Sequence, residues 1–396
     1  MSNRTIKRNM TVLAITWALM SLFSSATKVY SSLYILELGG GPFEVGIIGM
    51  AWMIVLAFSQ LVGGYLADTI GRKKIIVPMT IAYGLASLLY AFAPDWTWIL
   101  LASILTSLAL MYQPAIQAIV ADTLPPEMRG RGISAANTLS QVTSLAGPPM
   151  ATVLVSVMGL VDAMRILYLM GALAIIGAGA IRMLLIETHT NKTKISFKMA
   201  LKEYINALKL LKGDLGKLLL ITSSVRSLYQ MSFPFVQIYV VKELGISEEF
   251  WGIISTLMSL ESVFTMPLSG FLADKIGRNT VMALGYASGF IGLGMLAIAP
   301  REDPLFVLVS MLAAVAFASR PAALALMADL TGTGVRGKIS AISGLLEGNL
   351  SGALSVLGGM IYDIYPPLTF CVASLALVPL TVAAWKILPR GLIPKS

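Results

Sequence analysis

Long apolar runs separated by short polar turns dominate the chain. A helix needs about 20 apolar residues to cross a hydrocarbon core about 30 Å thick. Twelve runs of that length are present, each bounded by charges, Gly or Pro. The predicted membrane-spanning helices cover residues 10–36, 44–66, 74–93, 97–120, 132–158, 165–186, 217–241, 249–271, 279–299, 304–328, 339–361 and 367–388. The pattern therefore predicts an all-α integral membrane protein.

The second half of the chain repeats motifs of the first. Gly-Tyr-Leu-Ala-Asp-Thr-Ile-Gly-Arg at residues 64–72 returns as Gly-Phe-Leu-Ala-Asp-Lys-Ile-Gly-Arg at residues 270–278, 206 positions later. A second set recurs 207 positions later: Pro114, Asp122 and Arg129 correspond to Pro321, Asp329 and Arg336. Such repeats typically build a transporter from two bundles around a central site. We expect two six-helix bundles, residues 1–186 and 217–396, joined by a cytoplasmic linker at residues 187–216.

The repeated motif resembles the signature loop of the major facilitator superfamily. In that family the motif joins helices 2 and 3, and its weaker echo joins helices 8 and 9. The resemblance covers about residues 10–390. It implies twelve transmembrane helices in two pseudo-symmetric six-helix bundles that transport a solute by alternating access. The gate-loop residues that it implies are Asp68, Gly71, Arg72, Arg129, Asp274, Gly277, Arg278 and Arg336.

The resemblance also gives these loops a role. It implies that Asp68 caps helix 2 against the start of helix 11 and pairs with Arg129, latching the inner gate. Asp274 with Arg336 is the weaker equivalent, because Asn279-Thr280 replaces two lysines. The alternative is a turn that Gly allows through its positive φ, and whose basic residues only set the topology.

Composition agrees with a membrane protein and narrows its partners. Apolar residues make up 57% of the chain, charged residues 12%, and the mean hydropathy is +0.81. The net charge is +9, but the basic residues separate apolar runs, so we expect no nucleic-acid partner. One cysteine, Cys371, and one histidine, His189, leave no internal disulfide and no His/Cys metal site. We expect no cofactor, no ATP-binding Gly-Lys-Ser/Thr loop and no cleaved signal peptide.

The charge distribution predicts the orientation. With the N-terminus inside, the outer loops contain only Arg165, Lys242 and Arg301 among the 29 Lys and Arg residues. By the positive-inside rule, both termini should be cytoplasmic, in a cytoplasmic membrane. Within the linker, apolar residues such as Leu201 and Leu208 share a helical face bordered by lysines. That pattern predicts a basic amphipathic helix on the inner leaflet, or alternatively a solvated tether.

Ionisable residues inside the membrane are the main functional candidates, because each costs about 2.5 to 3.5 kcal/mol at mid-helix. Five are predicted there: Lys28, Arg226, Glu261, Arg320 and Glu347. Four of them should lie at one depth in the membrane. The exception is Lys28, which lies in the outer part of helix 1. The resemblance places the three cations on cavity-lining helices and the two glutamates on flanking helices. The neutral candidates for substrate contact are Gln113, Gln230 and Asn349.

Two interpretations of this layer remain open. The charges could form buried pairs that only fix helix packing. Alternatively, an Arg binds an anionic or polar group of the substrate and thereby releases a Glu to take up a proton. For this exchange we favour Arg320 with Glu347, because they share a depth on consecutive helices, and consider Arg226 with Glu261 next.

We therefore expect a secondary active transporter of a small organic solute, proton-coupled and monomeric. A multidrug or metabolite efflux antiporter and a non-transporting sensor on the same fold are the alternatives. Helix 4 lacks the Arg of many drug antiporters, Pro149 follows Gly147-Pro148 where a glycine pair is expected, and helix 1 carries Lys28 instead of an acid. Export of cationic drugs is therefore not expected. An enzyme is not expected either, because catalytic polar clusters are missing.

Overall fold

The computed structural model describes residues 3–124, 137–188, 212–332 and 336–391. Every regular element in these ranges is helical, and the prediction of twelve helices is confirmed. The helices are α1 Asn3–Glu37, α2 Pro42–Ile70, α3 Lys73–Ala91, α4 Trp96–Thr123, α5 Asn137–Met158, α6 Leu160–Arg182, α7 Gly213–Ile238, α8 Glu248–Ile276, α9 Arg278–Ala297, α10 Pro304–Leu330, α11 Arg336–Ile364 and α12 Pro366–Ile387.

Nine of these twelve described helices are long and apolar enough to cross a membrane by length and composition. The other three, α7, α8 and α11, each carry a charge near mid-helix: Arg226, Glu261 and Glu347. Large apolar side chains such as Val157 and Leu220 are exposed, as expected for helices whose outer faces meet lipid. The chain is thus an all-α integral membrane protein. Three of its five candidate charges lie on the three less apolar helices, whereas Lys28 and Arg320 lie on α1 and α10.

Helix α1 begins seven residues before the predicted start at residue 10. The extension is held by Asn9, which is fully buried. Its amide nitrogen donates to Thr123 Oγ1 at 3.2 Å and to the Ile186 carbonyl at 3.1 Å, and its oxygen accepts from the Ile186 amide at 2.8 Å. A search for apolar runs detects only the part of a helix that lies in hydrocarbon, so it misses a polar turn held by hydrogen bonds.

The described chain divides into two compact units. Unit 1 comprises Met1–Gly40 and Ala51–Ala200, and unit 2 comprises Gly41–Met50 and Leu201–Ser396. In unit 1, α1 packs on α5 and α6, and α3 packs on α4 and α6. In unit 2, α7 packs on α11 and α12, and α9 packs on α10 and α12. The same helix pairs meet in both units, which confirms the two related six-helix halves.

Helices α4 and α10 are interrupted at equivalent positions. A 3₁₀ turn, Leu110–Tyr112, interrupts α4 just before Pro114, and α10 is interrupted between Val315 and Ser319, just before Pro321. A proline lacks the backbone N–H of a regular helix and clashes with the preceding turn, which explains both interruptions. Gln113 is the first residue of the second segment of α4. Arg320, 207 positions later, is the second residue of the second segment of α10.

The linker predicted at residues 187–216 lies largely outside the described residues, which end at residue 188 and resume at residue 212. Its predicted amphipathic helix lies outside them entirely. Helix α7 begins at Gly213, four residues before the predicted start at residue 217.

Candidate functional site

Three charged side chains in unit 2 form what we call the charge cluster: Arg226, Arg320 and Glu347. Arg226 Nε donates to Glu347 Oε1 at 2.5 Å. Next to this ion pair, the hydroxyls of Ser227 and Ser351 lie 3.0 Å apart and join the same two helices. Arg320 is close enough to interact electrostatically with both Arg226 and Glu347. The cluster therefore carries two positive charges and one negative charge.

This geometry corrects the predicted pairing. Arg320 with Glu347 was the favoured pair and Arg226 with Glu261 the second choice, but Arg226 pairs with Glu347. The reason is that α7 and α11 pack side by side over a long contact, whereas α10 packs on α7, α8 and α9. Residues at one depth meet only if their helix faces meet, and depth along the axis cannot show that.

The charge cluster is accessible. The side chains of Arg226 and Glu347 remain 48% and 30% exposed. An ion pair facing hydrocarbon is strongly unfavourable, so the open side of the pair should face water. With one positive charge in excess, the cluster favours an anionic group on any solute that reaches it.

Glu261 stands apart from the charge cluster. Its Oε2 atom is buried, and no described residue donates a hydrogen bond to it or forms an ion pair with this carboxyl group. An unsatisfied buried oxygen is rare in folded proteins, and its presence on a membrane helix keeps Glu261 a functional candidate.

Two neutral candidates, Gln113 and Asn349, have hydrogen-bond partners outside the charge cluster. Gln113 Oε1 accepts from Gln60 Nε2 at 2.8 Å, in unit 1. Asn349 Nδ2 donates to the Leu345 carbonyl of its own helix at 2.8 Å. Gln230 is partly buried on α7, and Lys28 is exposed on α1.

The gate loop of unit 1 is fixed by Arg72. Gly71 has a φ of +114°, a conformation that side chains with a Cβ rarely adopt. Arg72 forms an ion pair with Asp122 and donates from Nη1 to the Ala118 carbonyl at 2.9 Å and to Thr188 Oγ1 at 3.1 Å. These bonds tie the start of α3 to the end of α4 and to the segment after α6.

Glu187 completes this loop. Its carboxylate accepts from the backbone amides of Arg72 at 3.3 Å and of Lys73 at 2.9 Å, at the N-terminus of α3. An acid suits that position because a helix N-terminus carries partial positive charge. Burial lowers the pKa of Arg72, while the carboxylates of Asp68 and Glu187 act in the opposite direction.

The gate loop of unit 2 repeats the arrangement. Gly277 has a φ of +99°. Arg278 forms an ion pair with Asp329 and donates from Nη1 to the Ala325 carbonyl at 2.5 Å. Arg278, Asp329 and Ala325 lie 206, 207 and 207 positions after their counterparts in unit 1. We call the pairs Arg72–Asp122 and Arg278–Asp329 the gate latches.

For each predicted gate pair, the described residues include only the aspartate side chain. Arg129 and the side chain of Arg336 lie outside the described residues, so the pairs of Asp68 with Arg129 and of Asp274 with Arg336 stay predictions. Asp274 is exposed at the end of α8. The prediction missed Asp122 and Asp329 as latch partners, although both appeared in the internal repeat. Their shared offset was the signal that could have found them.

Arg182, in the last turn of α6, is a further residue that the prediction missed. Its side chain is fully buried, and it lies at the wall of a cavity of about 560 Å³ inside unit 1. It stands four residues from the end of the span predicted at residues 165–186, where a positive charge also fits the cytoplasmic end of a membrane helix.

Comparison with known proteins decides the family. The family model of the Major Facilitator Superfamily matches residues 12–225 and again residues 218–395. The chain belongs to the major facilitator superfamily. An uncharacterised transporter of this type from Methanocaldococcus jannaschii is 23% identical to the facilitator over 94% of the chain and 93% of the relative. A multi-drug resistance efflux pump homologue of Lactococcus lactis is 28% identical over 72% of the chain and 71% of the relative.

Solved structures agree on the fold of this facilitator. The crystal structure of a D-xylose-proton symporter superimposes with a TM-score of 0.77 and covers 98% of both chains at 15% identity. Membership in the superfamily makes the protein a multi-pass membrane transporter of small solutes. The two gate loops lie at the positions that the resemblance implied, between α2 and α3 and between α8 and α9.

Proposed function

We propose that this facilitator is a secondary active transporter that moves a small organic solute across the cytoplasmic membrane by alternating access, coupled to protons. The observation that carries this proposal is the Arg226–Glu347 ion pair on membrane helices, with Arg320 beside it. Three charges at that depth are costly, and a packing role alone does not require them to be exposed. A site whose charges exchange partners during a transport cycle does require that exposure.

The charge cluster supports a specific exchange. In the resting pair, Glu347 Oε1 accepts from Arg226 Nε. An anionic group of the solute competes for Arg226 and draws on the second positive charge of Arg320. Glu347 then loses its donor and binds one proton from the side to which the site is open. When the solute leaves on the other side, the ion pair reforms and that proton is released there, so one proton crosses with each solute.

The gate latches would control which side is open. We propose that the bundles at residues 1–186 and 217–396 rock as bodies, with both termini in the cytoplasm and the protein acting as a monomer. Arg72–Asp122 and Arg278–Asp329 hold each gate loop in a fixed shape. Asp68 with Arg129, and Asp274 with Arg336, would then close the inner gate. None of these steps requires an enzymatic reaction or a cofactor.

Efflux of drugs or metabolites is the second candidate, because the Lactococcus lactis relative is named a multi-drug resistance efflux pump homologue. The excess positive charge of the charge cluster disfavours cationic drugs, so an efflux substrate should be anionic or neutral. A non-transporting sensor on the same fold is the third candidate.

Transport by the purified protein in proteoliposomes tests the proposal. A panel of radiolabelled anionic, neutral and cationic solutes is measured with a pH gradient and, as the matched control, after a protonophore has dissipated the gradient. We expect at least one anionic solute to accumulate only with the gradient. The sign of the gradient that drives accumulation distinguishes uptake from efflux. Binding of a solute without any flux would instead support the sensor.

A further inference from the structure

The cavity inside unit 1 has the size of a ligand site. Its volume is about 560 Å³, within the range of about 300 to 1,000 Å³ that is typical of small-molecule pockets. Aromatic side chains form much of the wall, among them Trp17, Tyr83, Tyr112 and Tyr168. Such a wall suits a flat, apolar ligand, because aromatic rings stack favourably on one another.

Arg182 brings a positive charge to this wall without a matching negative charge. Its guanidinium donates to Thr80 Oγ1 at 2.7 Å, to Thr16 Oγ1 at 3.3 Å and to the Met20 sulfur at 3.6 Å, and lies 5.0 Å from the centre of the Tyr112 ring. All these partners are neutral. In the described parts of the chain, no carboxylate lies within ion-pair distance of Arg182. A fully buried cation is strongly disfavoured unless an anion compensates it.

The internal repeat relates this cavity to the charge cluster of unit 2. Met20 and Ser140 both line the cavity. Met20 stands 206 positions before Arg226, and Ser140 stands 207 positions before Glu347. Unit 2 thus carries its own carboxylate at a position where unit 1 has a serine. In unit 1 the positive charge at the cavity comes from Arg182 on α6. No carboxylate among the described residues takes the place that Glu347 has in unit 2.

We propose that this cavity binds the carboxylate of a small aromatic acid. The carboxylate would replace the Met20 sulfur as the acceptor for Nη2 of Arg182, while the ring packs against the aromatic wall. The exchange is favourable because a thioether is a weak acceptor and a methionine side chain moves easily, whereas Arg binds carboxylates strongly. The wall of this cavity includes none of the three charge-cluster residues, so binding there does not depend on proton coupling through Glu347.

Isothermal titration of the purified full-length protein tests this site with 2-naphthoate and 2-naphthamide, which share a ring system and differ in charge. We expect 2-naphthoate to bind about tenfold more tightly or better. Arg182→Gln should remove this preference, and Arg182→Lys should retain part of it. The matched control is Arg165→Gln, on the same helix but away from the cavity, where Arg165 donates to the Ala93 carbonyl. This control should keep the preference.

A second variant leaves Arg182 in place. Ser24 lines the cavity one helical turn from Met20, so Ser24→Trp should fill the space and weaken binding of both ligands about tenfold or more. If Arg182→Gln does not fold, unchanged 2-naphthoate affinity in Ser24→Trp contradicts the proposal. Equal affinity of the parent protein for both ligands also overturns it. A preference for 2-naphthoate that survives Arg182→Gln, or that disappears in Arg320→Gln, also contradicts the proposal.

Discussion

The most informative side chains are those whose partners come from distant parts of the chain. Asp122 and Arg182 look ordinary in the sequence, because one lies near a helix end and the other four residues from the end of a predicted span. The structure shows that Asp122 forms an ion pair with Arg72 and that Arg182 lines a cavity. The sequence does identify the charges of unit 2, since a charge inside a long apolar run is visible without a structure.

The gate latch of unit 1 can be tested through stability. Asp122→Asn removes the ion pair of the nearly buried Arg72 guanidinium, which the carboxylates of Asp68 and Glu187 still attract, so we expect a loss of about 1 to 3 kcal/mol in the free energy of unfolding. The matched control is Asp214→Asn, which removes an ion pair to Lys217 with both partners about half exposed. It should cost about 0 to 1 kcal/mol. Denaturant unfolding of the purified variants measures both, and equal losses would show that the latch is an ordinary surface pair.

At the element scale, the number and the order of the helices followed from apolar runs, but the contacts between helices did not. The repeat located Pro114 and Pro321 at matching positions, yet only the structure shows that α4 and α10 are interrupted before them. The pairing of Arg226 with Glu347 was missed for the same reason. A sequence gives the depth of a residue in the membrane, while the contacts depend on how each helix is rotated about its own axis.

The positive φ of Gly71, in the turn between α2 and α3, can be tested by substitution. Gly71→Ala forces a Cβ into a backbone with a φ of +114° and 3.0 Å from a carboxylate oxygen of Glu187. We expect it to cost about 1 to 2 kcal/mol and to slow transport, because the turn orients Arg72. Gly177→Ala is the control, since that glycine lies within α6 and its added Cβ would meet no atom within 4 Å. It should be neutral or stabilising by about 0.5 to 1 kcal/mol. If both variants unfold and transport alike, the positive φ is not needed.

At the scale of the whole molecule, the two units share their helix pairing and their gate latches but differ in charge. Unit 2 holds Arg226, Arg320 and Glu347, whereas the equivalent positions in unit 1 are Met20, Gln113 and Ser140. Because the two units differ at these three positions, the internal repeat predicts the shared fold but not the charge cluster.

The orientation of the molecule is tested by cysteine labelling. Cys371 is the single cysteine, so a Cys371→Ala background carries one new cysteine at a time. A cysteine at Lys74, which is exposed next to the first gate loop, should react with a membrane-impermeant reagent only from the cytoplasm. A cysteine at Glu249, exposed at the start of α8, should react only from outside. The opposite pattern would reverse the proposed topology.

Transport by Glu347→Gln in proteoliposomes tests whether Glu347 carries the coupled proton. The amide oxygen can still accept from Arg226, but the side chain no longer binds and releases a proton. We predict that gradient-driven accumulation of the solute is lost while counterflow exchange is retained, since exchange needs no net change of protonation. Glu249→Gln, the same substitution at an exposed helix start, should retain both activities. Parental accumulation by Glu347→Gln under the same gradient would contradict proton coupling through the charge cluster.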